Sequence, residues 1–263
     1  MRTVNLSSGS KGNSTYIEAN NTKILIDNGL AFSVLSKRLN EIGVDACDID
    51  AILVTHEHID HIGGIKAFVN KNKKAKIYIP AFVQKFDIPK IIELPVSKVE
   101  WYSTSTFFIK DLTISAFVLP HDSNFCVGYS IVFDNKKISI ATDLGFVSKE
   151  TLENLSNSDI LFFESNHDEK LLINNPKYPA RTKKRILSNK GHLSNIDCGK
   201  ALVSLVKTGV KQVVLSHLSE ENNTPMLAYT TIKKVLESNG IIEGDNVYVD
   251  VAYQEKIGTI FNL

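Results

Sequence analysis

Cysteine, proline and long apolar runs are scarce in this sequence of 263 residues. The three cysteines, Cys47, Cys126 and Cys198, are far apart and form no CxxC pair, which argues against a disulfide framework or a zinc knuckle. They predict a reducing compartment, no disulfide partner and small apolar packing roles. No apolar run approaches the roughly 20 residues that span a bilayer, and the first ten residues lack the apolar core of a signal peptide. We therefore expect no membrane partner and a cytoplasmic location.

A strong excess of charge of either sign is also absent. Thirty lysines and arginines against 29 aspartates and glutamates give a net charge of +1, so any attraction to nucleic acid must come from local patches. A hydrophobic content of 43% is enough to bury a sizeable core. No linker rich in proline, glycine or serine divides the chain, which predicts a single domain spanning residues 1–263.

Many short strand-like runs alternate with fewer helical ones. The strand-like runs are VNL, STYIEA, KILID, AILVT, KIYIP, LTISAFVLP, YSIVF, KISIAT, DILFFES, KQVVLSH, VYVDVA and GTIFN. Helical spacing occurs in FSVLSKRLNEIG, IKAFVNKN, CGKALVSLVKTG and MLAYTTIKKVLESNG. Early strands close enough for hairpins, followed by strands that alternate with helices, predict a layered α/β protein with mixed sheets.

The segment THEHIDHIGG concentrates three of the seven histidines directly after the buried run AILVT. Imidazole and carboxylate are natural ligands of zinc and similar divalent ions. His56 and His58 alternate by two and can reach one metal, whereas Asp60 and His61 follow on the next turn and can reach a second. Surface loops also carry histidines by chance, but structural loops rarely place this many ligands after a buried strand.

The motif from Thr55 to His61 resembles the signature of the metallo-β-lactamase superfamily, whose fold is an αββα sandwich of two mixed sheets. The resemblance implies three further ligands at later strand ends, namely His121, Asp143 and His217, with Asp143 bridging two metals. It also implies that Asp27 supports the ligand loop, although Asp-Asn-Gly is equally a good turn sequence.

Two divalent ions, zinc or manganese, are therefore the expected cofactors. A pair of metals roughly 3.5–4 Å apart can generate hydroxide at neutral pH and stabilise both oxygens of a displacement at phosphorus. In this scheme Asp60 is both a ligand and the catalytic group that orients the hydroxide. The pair favours a phosphodiesterase without proving one.

An acid-free segment, residues 171–190, precedes the motif GHLSN and is rich in lysine and arginine. Such a segment suits a phosphate backbone, and Arg181, Lys184 and Arg185 are its candidate DNA contacts. The alternative is a solvated face whose charge is balanced by acids elsewhere.

The stretches SSGSKGNS, FFESNHDEKLL and YPARTKKRILSNKGHLSN resemble the WalJ-like or YycJ-like exonuclease branch of the superfamily. The resemblance implies a 5′-to-3′ exonuclease acting on double-stranded DNA, with a connection to mismatch repair. It further implies that His192 contacts the scissile phosphate or protonates the departing oxygen, a role that suits a histidine near neutral pH.

Other candidate substrate contacts flank these motifs. Ser10 and Asn13 lie in a glycine-containing loop suited to an anion, although the loop lacks the spacing of a P-loop. Ser194 and Asn195 are candidates for phosphate binding, but a serine before a helix is equally well explained as an N-cap. The two remaining candidates, Asn166 and His167, either line the cleft or bond to the backbone.

Three functions remain open on the sequence alone. A DNA exonuclease predicts a basic groove that leads into the metal site. A small-molecule hydrolase, such as a cyclic phosphodiesterase or a lactonase, predicts a closed pocket instead. A non-catalytic DNA-binding module would not need the full ligand set.

Overall fold

The computed structural model describes all residues from 1 to 263 as fourteen strands, nine α-helices and three short 3₁₀ segments. The strands are β1 (Arg2–Ser7), β2 (Ser14–Ala19), β3 (Thr22–Ile26), β4 (Ala51–Leu53), β5 (Lys76–Pro80), β6 (Val99–Tyr102), β7 (Thr106–Ile109), β8 (Leu112–Val118), β9 (Val127–Phe133), β10 (Lys136–Ala141), β11 (Ile160–Glu164), β12 (Gln212–Ser216), β13 (Tyr248–Val251) and β14 (Phe261–Asn262). The helices are α1 (Phe32–Glu41), α2 (Ile59–Ile62), α3 (Ile65–Lys71), α4 (Pro89–Ile92), α5 (Lys149–Leu155), α6 (Glu169–Asn174), α7 (Ala180–Ile186), α8 (Asn195–Lys207) and α9 (Pro225–Glu237).

The strands form two seven-stranded sheets, ordered β14-β1-β2-β3-β4-β5-β6 and β13-β12-β11-β10-β9-β8-β7. Each sheet has an antiparallel half, in which neighbouring strands follow one another closely along the chain, as in the hairpin from β1 to β3. Each also has a parallel half, β3 to β6 in the first sheet and β10 to β13 in the second. The expected mixed sheets are therefore confirmed.

Three apolar cores separate four layers. The inner core lies between the two sheets and includes Leu53 of the first sheet and Phe162 of the second. A second core packs the outer face of the first sheet against helices that contribute residues such as Phe68. The third packs the second sheet against α8 and α9 through Leu202 and Ile232. This is the predicted αββα sandwich. Both faces of each sheet are apolar, so each face packs against helices or against the other sheet.

Some elements were not predicted. The strands β6 and β7 lie at the outer edges of the two sheets, and their half-exposed residues lack a clear alternation of apolar and polar side chains. The basic helix α7 was not predicted either, because it buries only Ile186 and so presents no apolar stripe. Within the ligand motif the chain forms the helical turn α2, where the sequence predicted only a loop.

The carboxyl ends of strands in the two sheets converge at one edge of the sandwich. Asp27 follows β3, His56 follows β4, Asp143 follows β10 and His217 follows β12, whereas Glu164 is the last residue of β11. Three of these residues, Asp27, Asp143 and His217, have φ between 55° and 62°, a region that residues with a Cβ rarely occupy. Backbone held in such a conformation is typical of functional sites. None of the nine helices combines the length and the apolar composition that a membrane crossing requires.

Candidate metal centre

Three histidines form the first group of converging ligand atoms. His56 Nε2 lies 3.0 Å from His58 Nδ1, and His121 Nε2 lies 3.3 Å from the same atom. The other ring nitrogen of His121, Nδ1, lies 3.2 Å from the carbonyl oxygen of Gly191 and donates to it, which leaves Nε2 as a lone-pair donor. Burial lowers the pKa values of His56 and His121, so both rings stay neutral. Three imidazole nitrogens that converge in this way could hold a metal ion.

A second group joins Asp60, His61 and His217. Asp60 Oδ2 lies 3.4 Å from His61 Nε2 and 3.5 Å from His217 Nε2. Burial alone would lower the pKa of His217, but the nearby carboxylates, Asp143 foremost, outweigh it and raise this pKa to about 10. A metal that binds here therefore displaces protons, so its affinity for this group increases with pH.

Asp143 lies between the two groups. Its Oδ2 is 3.2 Å from His61 Nε2, and its Oδ1 is 3.4 Å from His217 Nε2 and 3.9 Å from His121 Nε2. Burial disfavours its charged form, but the surrounding histidines, led by His217, hold the pKa of this carboxyl well below its usual range. Asp143 is thus an ionised carboxylate in contact with both groups, the position that the sequence predicted for a bridging ligand.

The donor atoms fit divalent metal ions. Each group places its nitrogen and oxygen atoms within 4.8 Å of one another, and these are the atom types that zinc and similar ions take at about 2.0–2.2 Å. Asp143 Oδ2 and His217 Nε2 are buried without any hydrogen-bond partner, which is costly unless a ligand satisfies them. The residues present therefore suit two divalent ions.

Asp27 supports this centre through hydrogen bonds to His61 and Thr55. Its Oδ2 lies 2.7 Å from His61 Nδ1 and accepts a hydrogen bond from the Thr55 hydroxyl at 2.7 Å, while its Oδ1 accepts from the Thr55 amide at 2.8 Å. These bonds orient His61 so that Nε2 faces the ligand group. Asp27 also has a φ of 61°, in the left-handed region, but residues 27–29 form no hydrogen-bonded turn.

Sequence reasoning missed Glu164. This residue is fully buried and lies 2.7 Å from His192 Nδ1 and 3.2 Å from His217 Nδ1. It also accepts hydrogen bonds from the backbone amides of Leu144 at 2.8 Å and Leu193 at 3.3 Å. One feature of the sequence could have identified it, namely the carboxylate that ends the apolar run DILFFE. Charged residues are rarely buried in a strand covered on both faces unless they have a partner.

His192 reaches the same centre from the segment after α7. Its ring stacks on that of His217 with 5.3 Å between centroids and lies 5.2 Å from the ring of His121. Glu164 holds Nδ1, so Nε2 is the ring nitrogen left free, and 15% of the side chain is exposed. The structure thus brings His192 beside three of the predicted ligands, His121, Asp143 and His217.

A model of the family described as "Beta-lactamase superfamily domain" matches residues 22–218 of the chain. This chain belongs to the metallo-β-lactamase superfamily. It is 36% identical over 234 residues to the exodeoxyribonuclease WalJ of Streptococcus pneumoniae, covering 86% of this chain and 85% of that protein. It is 30% identical over 247 residues to the exodeoxyribonuclease YycJ of Bacillus anthracis, covering 91% and 90%. The metallo-β-lactamase fold protein YhfI of Bacillus subtilis has the same fold, with a TM-score of 0.73, 16% identity and coverage of 99% and 98%.

The loop after β1 lies close to the second group, Asp60, His61 and His217. Asn13 Nδ2 lies 2.9 Å from His61 Nε2 and 3.2 Å from Asp60 Oδ2, and its Oδ1 accepts from the Gly9 amide at 2.8 Å. Asn13 is therefore part of the centre as a neighbour of the ligands. Ser10 is exposed on the same loop and makes no hydrogen bond within the protein.

Two predicted phosphate contacts have other partners. The Ser194 hydroxyl caps α8, accepting from the Asp197 amide at 3.1 Å and donating to its carboxylate at 3.0 Å. Asn195 is buried and exchanges hydrogen bonds with Asn223, while its Oδ1 also accepts from the Ser165 hydroxyl at 2.7 Å. Both side chains thus have hydrogen-bond partners within the protein, and the N-cap interpretation describes Ser194; that they bind phosphate stays a prediction.

Asn166 and His167 are likewise interior. Asn166 is buried, and its Nδ2 donates to the carbonyl of the ligand His217 at 2.8 Å, so it fixes the ligand loop from within. His167 is 1% exposed, and neither of its ring nitrogens has a hydrogen-bond partner in the protein. The ring of His167 therefore neither lines the cleft nor forms a hydrogen bond to the backbone.

The basic helix α7 lies beside the centre. The His192 amide donates to the carbonyl of Ile186, the last residue of α7, at 3.0 Å. Arg185 lies 3.7 Å from Asp122, the neighbour of the ligand His121. Arg181 and Lys184 are exposed and form no ion pair, so their charge is available to an anionic partner. Exposed cations therefore lie on a helix that is hydrogen-bonded to His192, and the basic groove into the metal site stays a prediction.

Proposed function

We propose that this protein is a two-metal exodeoxyribonuclease that degrades double-stranded DNA in the 5′-to-3′ direction, in the cytoplasm and in a DNA-repair role. The observation that carries the proposal is the hydrogen bond that joins His192 to Ile186 at the end of α7, a helix whose Arg181 and Lys184 are exposed and form no ion pair. Substantial identity over most of the chain to two proteins named exodeoxyribonuclease supports the same reaction.

The ligand set fits zinc or manganese. His56, His58 and His121 would hold one ion, Asp60, His61 and His217 the other, and Asp143 would contact both. Such ions supply a hydroxide nucleophile at neutral pH and offset the charge of the phosphate. Nitrogen-rich ligation suits zinc, and the added carboxylates also admit manganese.

Asp60 orients the attacking oxygen, and His192 donates a proton to the departing oxygen. Burial disfavours the charged form of Asp60, but the adjacent rings of His217 and His61 hold the pKa of this carboxyl well below its usual range. Asp60 is therefore an ionised acceptor that orients the attacking oxygen. Because Glu164 occupies His192 Nδ1, Nε2 of that ring delivers a proton to the oxygen that departs from phosphorus.

The cations of α7 bind DNA through its backbone. Lysine and arginine neutralise phosphates without reading bases, so binding is independent of sequence and weakens steeply with salt. The Ile186 carbonyl links α7 to His192. DNA bound to α7 is therefore positioned so that a defined phosphate of its backbone lies at the ligands.

Digestion of linear duplex DNA tests the proposal. DNA labelled at each 5′ end and a covalently closed circle are incubated with the protein in Mn or Zn, with Asp60→Ala as the control. Release of the 5′ label from linear DNA, an intact circle and an inactive variant are expected. Survival of both DNAs together with hydrolysis of a small phosphodiester or a lactone would instead identify a small-molecule hydrolase.

A further inference from the structure

A cavity of about 460 Å³ lies beside the loop that follows β12, outside the ligand groups. Small-ligand sites usually have volumes of roughly 300–1,000 Å³, so this cavity is large enough to hold one nucleotide. Its walls come from three separate parts of the chain, namely the loop after β1, residues 218–225 and residues 252–256.

The cavity shares a wall with the metal centre. Ser8 lines it, and the Ser8 hydroxyl accepts a hydrogen bond from the backbone amide of the ligand His217 at 2.7 Å. Leu218, the next residue along the chain, lines it as well. The cavity therefore lies directly against the backbone of His217.

This wall is rigid. Asn223 also lines the cavity, is buried, and donates to the carbonyls of Ser165 and Asn166 at 2.9 and 3.0 Å. Asn166 in turn donates to the His217 carbonyl. The cavity is thus preformed by the same hydrogen bonds that hold a metal ligand, which lowers the entropy cost of binding a guest.

The lining combines apolar, aromatic and cationic groups. Leu218, Pro225 and Ala252 provide apolar surface, and Tyr253 provides an aromatic ring. The ammonium of Lys256 lies 4.0 Å from the centroid of that ring and forms no ion pair. An aromatic ring for a base and a free cation for a phosphate are what proteins use to hold single nucleotides of a strand.

Two acids at the cavity share a single lysine. Lys11 Nζ lies 2.8 Å from Glu220 and 3.8 Å from Glu255, so these two acids are paired with one lysine. Lys256 is then the lining cation that remains available to a phosphate, and the acids make the cavity a poor site for a multiply charged anion.

We propose that this cavity binds the terminal nucleotide of the strand being degraded, with its base against Tyr253 and its backbone phosphate near Lys256. The inference rests on the proposed nuclease function and adds a reason why the enzyme would act at the ends of DNA strands. A site of this volume holds about one nucleotide, and its position against the His217 backbone puts that nucleotide next to the ligand groups.

Binding of deoxyadenosine to the full-length protein tests the cavity without any cleavage. Saturation-transfer NMR with this uncharged nucleoside is compared for wild type, Tyr253→Ala, Tyr253→Phe and the control Tyr248→Ala, which changes an exposed tyrosine of β13 outside the cavity. We expect binding to wild type, to Tyr253→Phe and to the control, and loss of binding to Tyr253→Ala. Absence of binding to wild type, or equal binding to Tyr253→Ala, overturns the inference.

Kinetics on linear duplex DNA provide the second measurement. Base-to-ring stacking predicts that Tyr253→Ala raises KM by about 5- to 150-fold, with a smaller change in kcat. An unchanged KM in a protein that still degrades DNA overturns the cavity assignment and leaves the nuclease proposal intact. A protein that degrades no DNA overturns the nuclease proposal, and nucleoside binding then decides whether the cavity is a nucleoside site.

Discussion

Glu164 Oε1 lies 2.7 Å from His192 Nδ1 and 3.2 Å from His217 Nδ1. One buried carboxylate therefore orients two rings, a metal ligand and the histidine that faces the cleft. Burial disfavours its charged form, but His192 above all keeps the pKa of Glu164 below its usual value, so it remains an anion. The spacing of the two rings, 5.3 Å between centroids, follows from this shared partner.

Replacing this carboxylate by an amide tests its role as a positioning group. Glu164→Gln is expected to lower kcat by about 10- to 100-fold while KM for DNA stays unchanged, because Glu164 orients ligands and touches no substrate. Steady-state kinetics on linear duplex DNA measure both parameters. The control is Glu169→Gln, which changes an exposed residue in the first turn of α6. An effect on KM alone would contradict the role.

His192→Ala separates proton delivery from metal binding. Removal of a general acid typically costs about 10²- to 10⁴-fold in rate, and we expect kcat to fall by that order. Metal content, measured on the same preparation, is expected to match that of wild type because the seven ligand residues are intact. Loss of metal together with activity would show that His192 is itself a ligand.

The exposed cations of α7 are expected to control the affinity for DNA. Each of the single variants Arg181→Ala and Lys184→Ala removes one phosphate contact and should reduce the slope of log K against log salt by about 1. DNA binding is titrated by fluorescence anisotropy at several salt concentrations. Lys207→Ala is the matched control, because Lys207 lies at the opposite end of α8 from His192. An equal loss in the control would indicate a general charge effect.

His167 makes the fold sensitive to acid. Burial lowers the pKa of His167 to about 4, against about 6.5 in the unfolded chain. Between these values the unfolded state binds a proton that the folded state does not, so stability falls as pH decreases through this window. From pH 7 to pH 5 this one residue should cost about 2 kcal/mol of unfolding free energy.

Urea unfolding of wild type and His167→Leu at pH 7 and pH 5, both free of metal, measures this contribution. The variant should lose about 2 kcal/mol less than wild type between the two pH values, whatever its stability at pH 7. Equal losses in the two proteins would show that another group governs the acid response.

Local patterns predicted a layered α/β protein with mixed sheets and the ligand loop, whereas the αββα sandwich followed from the resemblance to a known family. The ligands His56, His58, Asp60 and His61 lie within six residues, so ligand chemistry and spacing are visible together. Asp143 and His217 required the resemblance to a known family, since each is a single residue after an ordinary strand.

Other parts of the site depend on contacts between distant segments. Glu164 acquires its role only because β11 pairs in parallel with β12, which aligns it with Ser216 beside His217. The buried hydrogen bond of Asn195 could not be predicted because its partner, Asn223, lies 28 residues away. The cavity near Tyr253 joins three segments that no sequence pattern connects.

The most direct test of the two-metal account is the metal content of the purified full-length protein, measured by mass spectrometry after equilibration with Zn or Mn and dialysis. We predict two ions per chain, and one ion per chain with loss of DNA degradation in His61→Ala. DNA degradation that persists in a chelator, in protein without bound metal, would contradict the account.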